Sequence, residues 1–206
     1  MPRARTPHRT RTRTRGRSLA ALLAAALGTV LLAATGPAHA DADATAAHRA
    51  PALGPTLTLA PGPGFPAHYA APYVEVWNSP AAMEDARAAT GLKFFTLAFV
   101  IDGGRCNAEL NGDTPVSSSG WTSAISGLRA AGGDVIVAFG GSGGKEIGLT
   151  CTSVPALKAE YRRVVDTLGL SRLDFDIEGS ALNDTSANDR RNSALAQLQQ
   201  EYAAAG

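Results

Sequence analysis

Three acidic side chains stand at alternate positions in the segment 169–179, which reads GLSRLDFDIEG. Asp174, Asp176 and Glu178 would share one face of a β-strand, because successive strand side chains point to opposite faces. Three neighbouring carboxylates repel one another and are costly to desolvate. The spacing therefore predicts a site that uses the acids for a reaction, a metal ion or a cationic ligand, while the apolar residues between them face a helix layer.

Two other interpretations of this segment carry less weight. A solvated edge strand would not need the apolar residues that alternate with the acids. Asp-x-Asp motifs hold Mg²⁺ through hard oxygen ligands in some phosphatases and glycosyltransferases. A phosphatase of the haloacid dehalogenase type would carry Thr or Val where Glu178 stands, and its motif would lie on its first strand. The sequence therefore predicts no metal and no organic cofactor.

The amino terminus has the composition of a secretory signal. Residues 1–17 contain seven Arg and no acid, and an apolar, Ala-rich stretch follows that ends in Ala-His-Ala at Ala40. A basic region, an apolar region and a small-residue exit predict a signal peptide over 1–40 and a secreted, extracellular protein. The alternative is a membrane anchor over 19–35, which is nearly long enough to span a bilayer.

Removal of this leader reverses the charge balance. Without its seven Arg, 12 of the 19 basic residues remain against 18 Asp and Glu, a net charge of about −6 on 166 residues. Binding to nucleic acid or to an anionic membrane therefore has no support. Residues 41–70 are rich in Ala and Pro without a sustained period, and we interpret them as a linker.

From residue 71 onward, strand and helix patterns alternate. Buried or half-buried strands are predicted over 72–77, 93–101, 134–139 and 172–178. The helices predicted between and after them cover 80–90, 120–131, 154–168 and a final segment that begins near Ser186 or Asn188. Strict alternation of this kind predicts parallel strands with helical crossovers. Periodicity alone leaves an open doubly wound sheet and half of an eight-unit barrel as equal alternatives.

The acidic strand resembles the D-x-x-D-x-D-x-E signature of glycoside hydrolase family 18, the chitinases and related enzymes. VIVAFGGSGG, over 135–144, is similar to the family's S-x-G-G region, and APYVEVW and FFTLAFV look like its first two strands. The resemblance covers about 71–206. It implies the (β/α)8 TIM-barrel class, with this chain providing the first four βα units, the N-terminal half of the catalytic domain.

The resemblance also implies a reaction. Glu178 would be the general acid and later the base in cleavage of β-1,4-linked N-acetylglucosamine polymers, with the substrate's own acetamido group as nucleophile and retention of configuration. Asp176 would orient that group, and Asp174 would share a proton with Asp176. The expected partner is chitin or a chito-oligosaccharide, bound by a monomer.

Three positions depart from the family pattern. Ser171 stands for the first Asp of the signature, Arg172 for the usual Gly after it, and Ala138 for the Ser of S-x-G-G. The departures at Ser171 and Ala138 leave open a chitin-binding protein without catalysis. A second alternative is an inactive fragment, because half a barrel would leave its first and fourth strands as open edges.

Further residues are candidates for binding or packing. Trp77, at the end of the first strand, could stack on a sugar ring, and Gly140 and Gly141 would let backbone and sugar approach closely. Trp121 is predicted to pack in the core, as is Tyr73.

Cys106 and Cys151 are predicted to form a disulfide. Both belong to an exported chain, and neither belongs to a CxxC motif. They follow the second and third strands, whose loops are neighbours at one end of a parallel sheet. The bridge would brace the loops on the substrate side.

Overall fold

A computed structural model describes residues 58–205. The predicted signal peptide (1–40) and the linker up to residue 57 lie outside the described residues. Six strands occupy β1 (Tyr73–Glu75), β2 (Phe94–Asp102), β3 (Ala108–Leu110), β4 (Thr114–Pro115), β5 (Asp134–Gly140) and β6 (Leu173–Asp176). Six helices occupy α1 (Ala81–Thr90), α2 (Ser119–Ala130), α3 (Ile147–Thr150), α4 (Val154–Leu168), α5 (Ser180–Asn183) and α6 (Thr185–Ala205).

The sheet is built from four parallel strands in the order β1-β2-β5-β6. Val74 pairs with Leu97, Leu97 with Val137, and Val137 with Leu173. The antiparallel β3–β4 hairpin extends the carboxyl end of β2. Parallel strands with helical crossovers are therefore confirmed, and the sheet is not closed: within the described residues, β1 and β6 each have one parallel neighbour.

One face of the sheet is covered by helices, and the core lies there. Phe95, Leu97, Val137 and Phe139 are completely buried. The Phe139 ring packs edge-on against Tyr161 of α4, with ring centroids 5.0 Å apart. Burial of side chains of this size stabilises the fold by roughly 1.5–3 kcal/mol each.

Helix α4 has the bounds that its apolar stripe predicts. Its buried residues include Leu157, Tyr161, Val164 and Leu168. Ser153 caps the start by accepting a hydrogen bond from the Ala156 amide, and Gly169 ends the helix in the left-handed conformation that glycine adopts without strain.

The structure corrects three element predictions. The strand predicted over 172–178 ends at Asp176, so Glu178 lies in the following loop. Helix α6 begins at Thr185 rather than near Ser186 or Asn188, because the Asp184 carboxylate accepts a hydrogen bond from the Ala187 amide at 2.8 Å. The β3–β4 hairpin, α3 and α5 were not predicted, although Asn111-Gly112 is a typical hairpin turn signal.

The described part of the predicted linker packs against the domain. Residues 58–70 contain no helix or strand. The Leu59 amide donates to the Thr167 carbonyl at 2.9 Å, and the Phe65 ring lies 5.1 Å from that of Phe94. The packed domain therefore includes residues before the boundary at 71.

Candidate active site

The second face of the parallel sheet carries the candidate site. On this face β6 presents Asp174 and Asp176, because Phe175 between them packs on the other side, where its ring stacks on that of Phe139 at 5.5 Å. The neighbouring strand β5 places Ala138 beside Asp174 and Gly140 beside Asp176. The residues paired with the two acids are therefore small, and both acids remain partly exposed.

A hydrogen bond joins the two outer parallel strands across this face. The Tyr73 hydroxyl of β1 donates to Oδ2 of Asp174 at 2.7 Å. Two strands separate β1 from β6, so the bond requires the sheet to curl until its first and last strands face each other. The acid face is therefore concave, as in the wall of a barrel.

This contact raises the pKa of Tyr73. The hydrogen bond to Asp174, followed by desolvation and the charges of Asp174 and Asp176, raises the pKa of the Tyr73 phenol to about 12. A phenol with that pKa stays protonated at neutral pH and remains a donor. Tyr73 is thus a hydrogen-bond donor to the Asp174 carboxylate over the whole neutral range.

The prediction that Tyr73 belongs to the core is wrong. Its side chain is 54% exposed, because it points to the concave face while Val74 and Val76 point to the helices. The alternation in YVEVW separates Tyr73 from the valines but does not show which of the two faces meets the helices. On the same face Glu75 accepts a hydrogen bond from Asn78 at 2.8 Å.

Gly140 and Gly141 lie where the backbones of β5 and β6 come closest. The Gly141 amide donates to the Asp176 carbonyl at 2.7 Å. Gly140 has a φ of 108°, and a Cβ on Gly141 would lie 2.7 Å from the Phe99 ring. Protein atoms occupy the space that a side chain would need at these two positions, so the fold itself requires glycine there. Sugar binding at Gly140 and Gly141 stays a prediction.

Glu178 lies two residues beyond β6 and is exposed. Its side chain lines a cavity of 190 Å³ between the loop after β5 and the loop after β6. The loop after β5 together with α3 contributes Gly141, Ser142, Gly144, Glu146 and Leu149, and the loop after β6 together with α5 contributes Gly179, Ser180 and Ala181. The structure thus brings Glu178 to the carboxyl end of the strands, and the two Asp lie on β6 below it.

The two tryptophans differ in burial. Trp77, which follows β1, is 54% exposed, so its ring is accessible to a ligand. Trp121 of α2 is only 3% exposed, which confirms its predicted place in the core.

Comparisons with known proteins relate this chain to chitinases. The chain is 33% identical over 149 residues to the probable bifunctional chitinase/lysozyme of Escherichia coli and, over the same length, to endochitinase 11 of Metarhizium anisopliae. These alignments cover 71% of this chain. The chain is also 30% identical, with a TM-score of 0.58, to active domain 2 of a Pyrococcus furiosus chitinase, solved as catalytic-site mutants with chito-oligosaccharides. The chain is a chitinase-like protein.

This chitinase-like chain spans only part of its relatives. It covers 17% of the Escherichia coli protein, 28% of the Metarhizium protein and 46% of the Pyrococcus domain, while 72% of the chain itself superposes on that domain. No family model matches it. The TIM-barrel class of the structural relative agrees with the α/β architecture and the curled sheet.

The disulfide of the chitinase-like chain connects two loops at the site. Cys106 and Cys151 are bonded, with their Cα atoms 4.7 Å apart, which confirms the predicted pairing. Cys106 follows β2, and Cys151 ends the short helix α3. The bridge therefore holds the loops after β2 and β5 together at the carboxyl end of the sheet.

Sequence reasoning missed a buried ion pair at this end of the chitinase-like domain. Glu146 accepts hydrogen bonds from Arg191 of α6, the shorter at 2.6 Å, and both side chains are buried. The sequence contains only a weak signal for this pair. A single Glu after a glycine-rich loop does not identify its partner, which lies 45 residues further along the chain.

Two further observations concern residues 58–205. No group of three or more His, Cys, Asp or Glu side chains there is arranged to hold a metal ion. Over the same residues, no helix combines the length and apolar character needed to cross a bilayer.

Proposed function

We propose that this chain forms part of a chitinase that cleaves β-1,4 bonds between N-acetylglucosamine units, with Glu178 as its general acid and base. The observation that carries the proposal is the hydrogen bond between Tyr73 and Asp174, 2.7 Å long, which holds the Asp174 carboxylate on the concave face. Homology to chitinases supplies the substrate class.

The proposed mechanism assigns one task to each acid. Protonated Glu178 donates its proton to the leaving glycosidic oxygen, and the acetamido oxygen of the sugar attacks the anomeric carbon. Asp176 orients the acetamido nitrogen and stabilises the positive oxazolinium ion that forms. Glu178, now a carboxylate, removes a proton from the water that attacks the anomeric carbon and opens the oxazolinium ring. Two successive displacements at that carbon retain the configuration. Asp174 exchanges a proton with Asp176 and is held in place by the Tyr73 hydroxyl.

We also propose that the catalytic unit is a barrel in which further strands follow β6. Within the described residues, the outer edge of β6 pairs with no strand. A cavity of 1330 Å³ opens along this edge, and its lining includes the apolar side chains Val165, Phe175, Leu195, Leu198 and Tyr202. An unpaired strand edge with apolar surface beside it favours pairing with another strand. The half-barrel assignment over 71–206 belongs to this proposal.

Export belongs to the proposal as well. The basic and apolar leader over 1–40 supports a secreted protein that meets chitin outside the cell. The net charge of about −6 after cleavage fits a neutral polysaccharide substrate better than an anionic one. Amino-terminal sequencing of the exported protein should begin at Asp41.

The deciding experiment compares Glu178→Gln with the unaltered protein on chito-oligosaccharides, in the longest natural form of the chain. General acid–base catalysis contributes about 10²–10⁴-fold, so kcat should fall by that factor while binding to chitin beads persists. If the unaltered protein binds chitin but shows no turnover, the alternative of a chitin-binding protein without catalysis is favoured. Equal turnover by the variant would contradict the role of Glu178.

A further inference from the structure

A buried ion pair connects the loop after β5, which lines the Glu178 cavity, to helix α6. Glu146 and Arg191 have side-chain exposures of 4% and 6%, and Oε2 of Glu146 lies 2.6 Å from the guanidinium. Glu146 directly precedes α3, in the loop after β5. Arg191 lies in α6, which begins seven residues after Glu178. The pair therefore links one wall of the cavity to the helix that follows the Glu178 segment in the chain.

The surroundings of the pair leave it little freedom. Arg191 also donates to Oδ1 of Asn188 at 2.6 Å, and Arg190 donates to the Gly148 carbonyl at 2.7 Å. A Cβ on Gly148 would lie 2.6 Å from Oε2 of Glu146, so a larger residue there would displace the carboxylate. Helix α6 is thus fastened to the loop after β5 by two arginines, one at a side chain and one at the backbone.

The carboxylate of this pair also reaches the candidate site. Glu146 and Glu178 line the same cavity of 190 Å³. Only the short helix α5 and Asp184 separate the Glu178 loop from α6. A shift of α6 would therefore move the chain that carries Glu178, and the ion pair opposes such a shift.

We propose that Glu146 and Arg191 are positioning residues for Glu178, which fix its loop against the loop after β5. The role deepens the proposed function and rests on it. Glu146 does not touch the substrate in this role and transfers no proton. It affects the position of the Glu178 carboxyl group, so its loss should lower kcat and leave substrate binding unchanged.

The molecule offers a matched control at the other end of the sheet. Asp134, at the start of β5, pairs with Arg129 at 2.9 Å, and their side-chain exposures are 1% and 9%. Glu146→Gln and Asp134→Asn each remove one negative charge from a buried pair. Only the Glu146–Arg191 pair lies near the Glu178 loop. A difference between the two variants would therefore come from the location of the pair and not from the loss of a buried charge as such.

Hydrogen exchange and kinetics of these variants test the proposal. In Glu146→Gln, amides of 177–184 should exchange about tenfold faster, and kcat should fall about tenfold with KM unchanged. Asp134→Asn should show neither effect when both are measured below their unfolding temperatures. If Glu146→Gln fails to fold, Glu146→Gln/Arg191→Met, which buries no unpaired charge, should fold and still exchange faster at 177–184.

Unchanged exchange at 177–184 in these variants, or equal effects of Asp134→Asn, would overturn the positioning role. Exchange does not require turnover, so this outcome is separate from failure of the proposed function. That failure would appear as full activity of Glu178→Gln.

Discussion

The two ends of the parallel strands use similar interactions for different purposes. At the amino ends, residues 58–70 pack across the sheet, Arg172 lies over the Phe65 and Tyr69 rings, and Arg129 pairs with Asp134. At the carboxyl ends, the second buried pair borders a cavity that contains the exposed Glu178. One end is covered and the other is open.

The difference follows from where barrel-type sheets place their sites. Loops after the strands are free to carry reactive groups, whereas the opposite end contributes to stability. Arg172, a departure from the family pattern, fits this division. Its guanidinium lies 4.8 Å from the Phe65 ring centroid and donates to the Tyr69 hydroxyl at 2.6 Å, so it fastens the covering segment at the amino end.

The largest expected change in stability comes from the covered end. Asp134→Asn leaves Arg129 buried without its counter-charge, which should lower the free energy of unfolding by about 3–5 kcal/mol. Chemical denaturation measures this loss. Activity per folded molecule should stay the same, and a loss of activity without a loss of stability would break the comparison.

Removal of the disulfide should affect both properties. The bond spans 45 residues, and Cys106→Ser/Cys151→Ser should lower the free energy of unfolding by roughly 2–4 kcal/mol. Because the bridge joins loops at the open end, turnover at a temperature where the variant is folded should also decrease. Unaltered turnover would show that these loops do not need the bridge for the reaction.

Arg172→Ala tests the covering segment with a smaller change. Loss of the cation–π contacts should cost about 1 kcal/mol, because the Arg172 side chain is exposed to solvent. Limited proteolysis should then cut within 58–70 sooner than in the unaltered protein. Arg172→Lys, which keeps the charge without the planar group, is the matched control and should recover only part of the loss.

The smallest expected effect concerns the Tyr73 hydrogen bond and its pH dependence. Folding raises the pKa of Tyr73 from 10 to about 12, so the stability that this bond contributes is complete below pH 10 and is lost as pH rises toward 12. In Asp174→Asn, ultraviolet titration should show one phenol ionising closer to pH 10. An unchanged titration curve would contradict the contact, and Tyr73→Phe identifies which phenol is observed.

Much of the element order follows from local patterns. The alternation of acids and apolar residues in LDFD determines which face of β6 each side chain takes. The stripe from Val154 to Leu168 determines α4, and Gly91 and Gly169 end their helices because glycine adopts positive φ without strain. These features depend on residues close together in the chain.

Other features depend on residues far apart, and the local patterns did not predict them. The strand predicted to reach Glu178 stops at Asp176. Its last pairing with β5 joins Gly140 to Asp176, and the Gly141 amide donates a hydrogen bond to the Asp176 carbonyl. Tyr73 was predicted to be buried, since YVEVW does not show which of its faces meets the helices. The β3–β4 hairpin depends on α4, where Glu160 and Arg163 bind the backbone of Ala108.

The sequence by itself determined that Asp174 and Asp176 share one face of a strand in a parallel α/β domain, with Glu178 two residues further on, because strand periodicity is local. Only the tertiary structure decided that Tyr73 meets Asp174, that Glu146 meets Arg191, and that residues 58–70 cover the amino ends of the strands. These contacts arise from the curl of the sheet and the docking of α6, which sum many weak packing interactions across the whole domain.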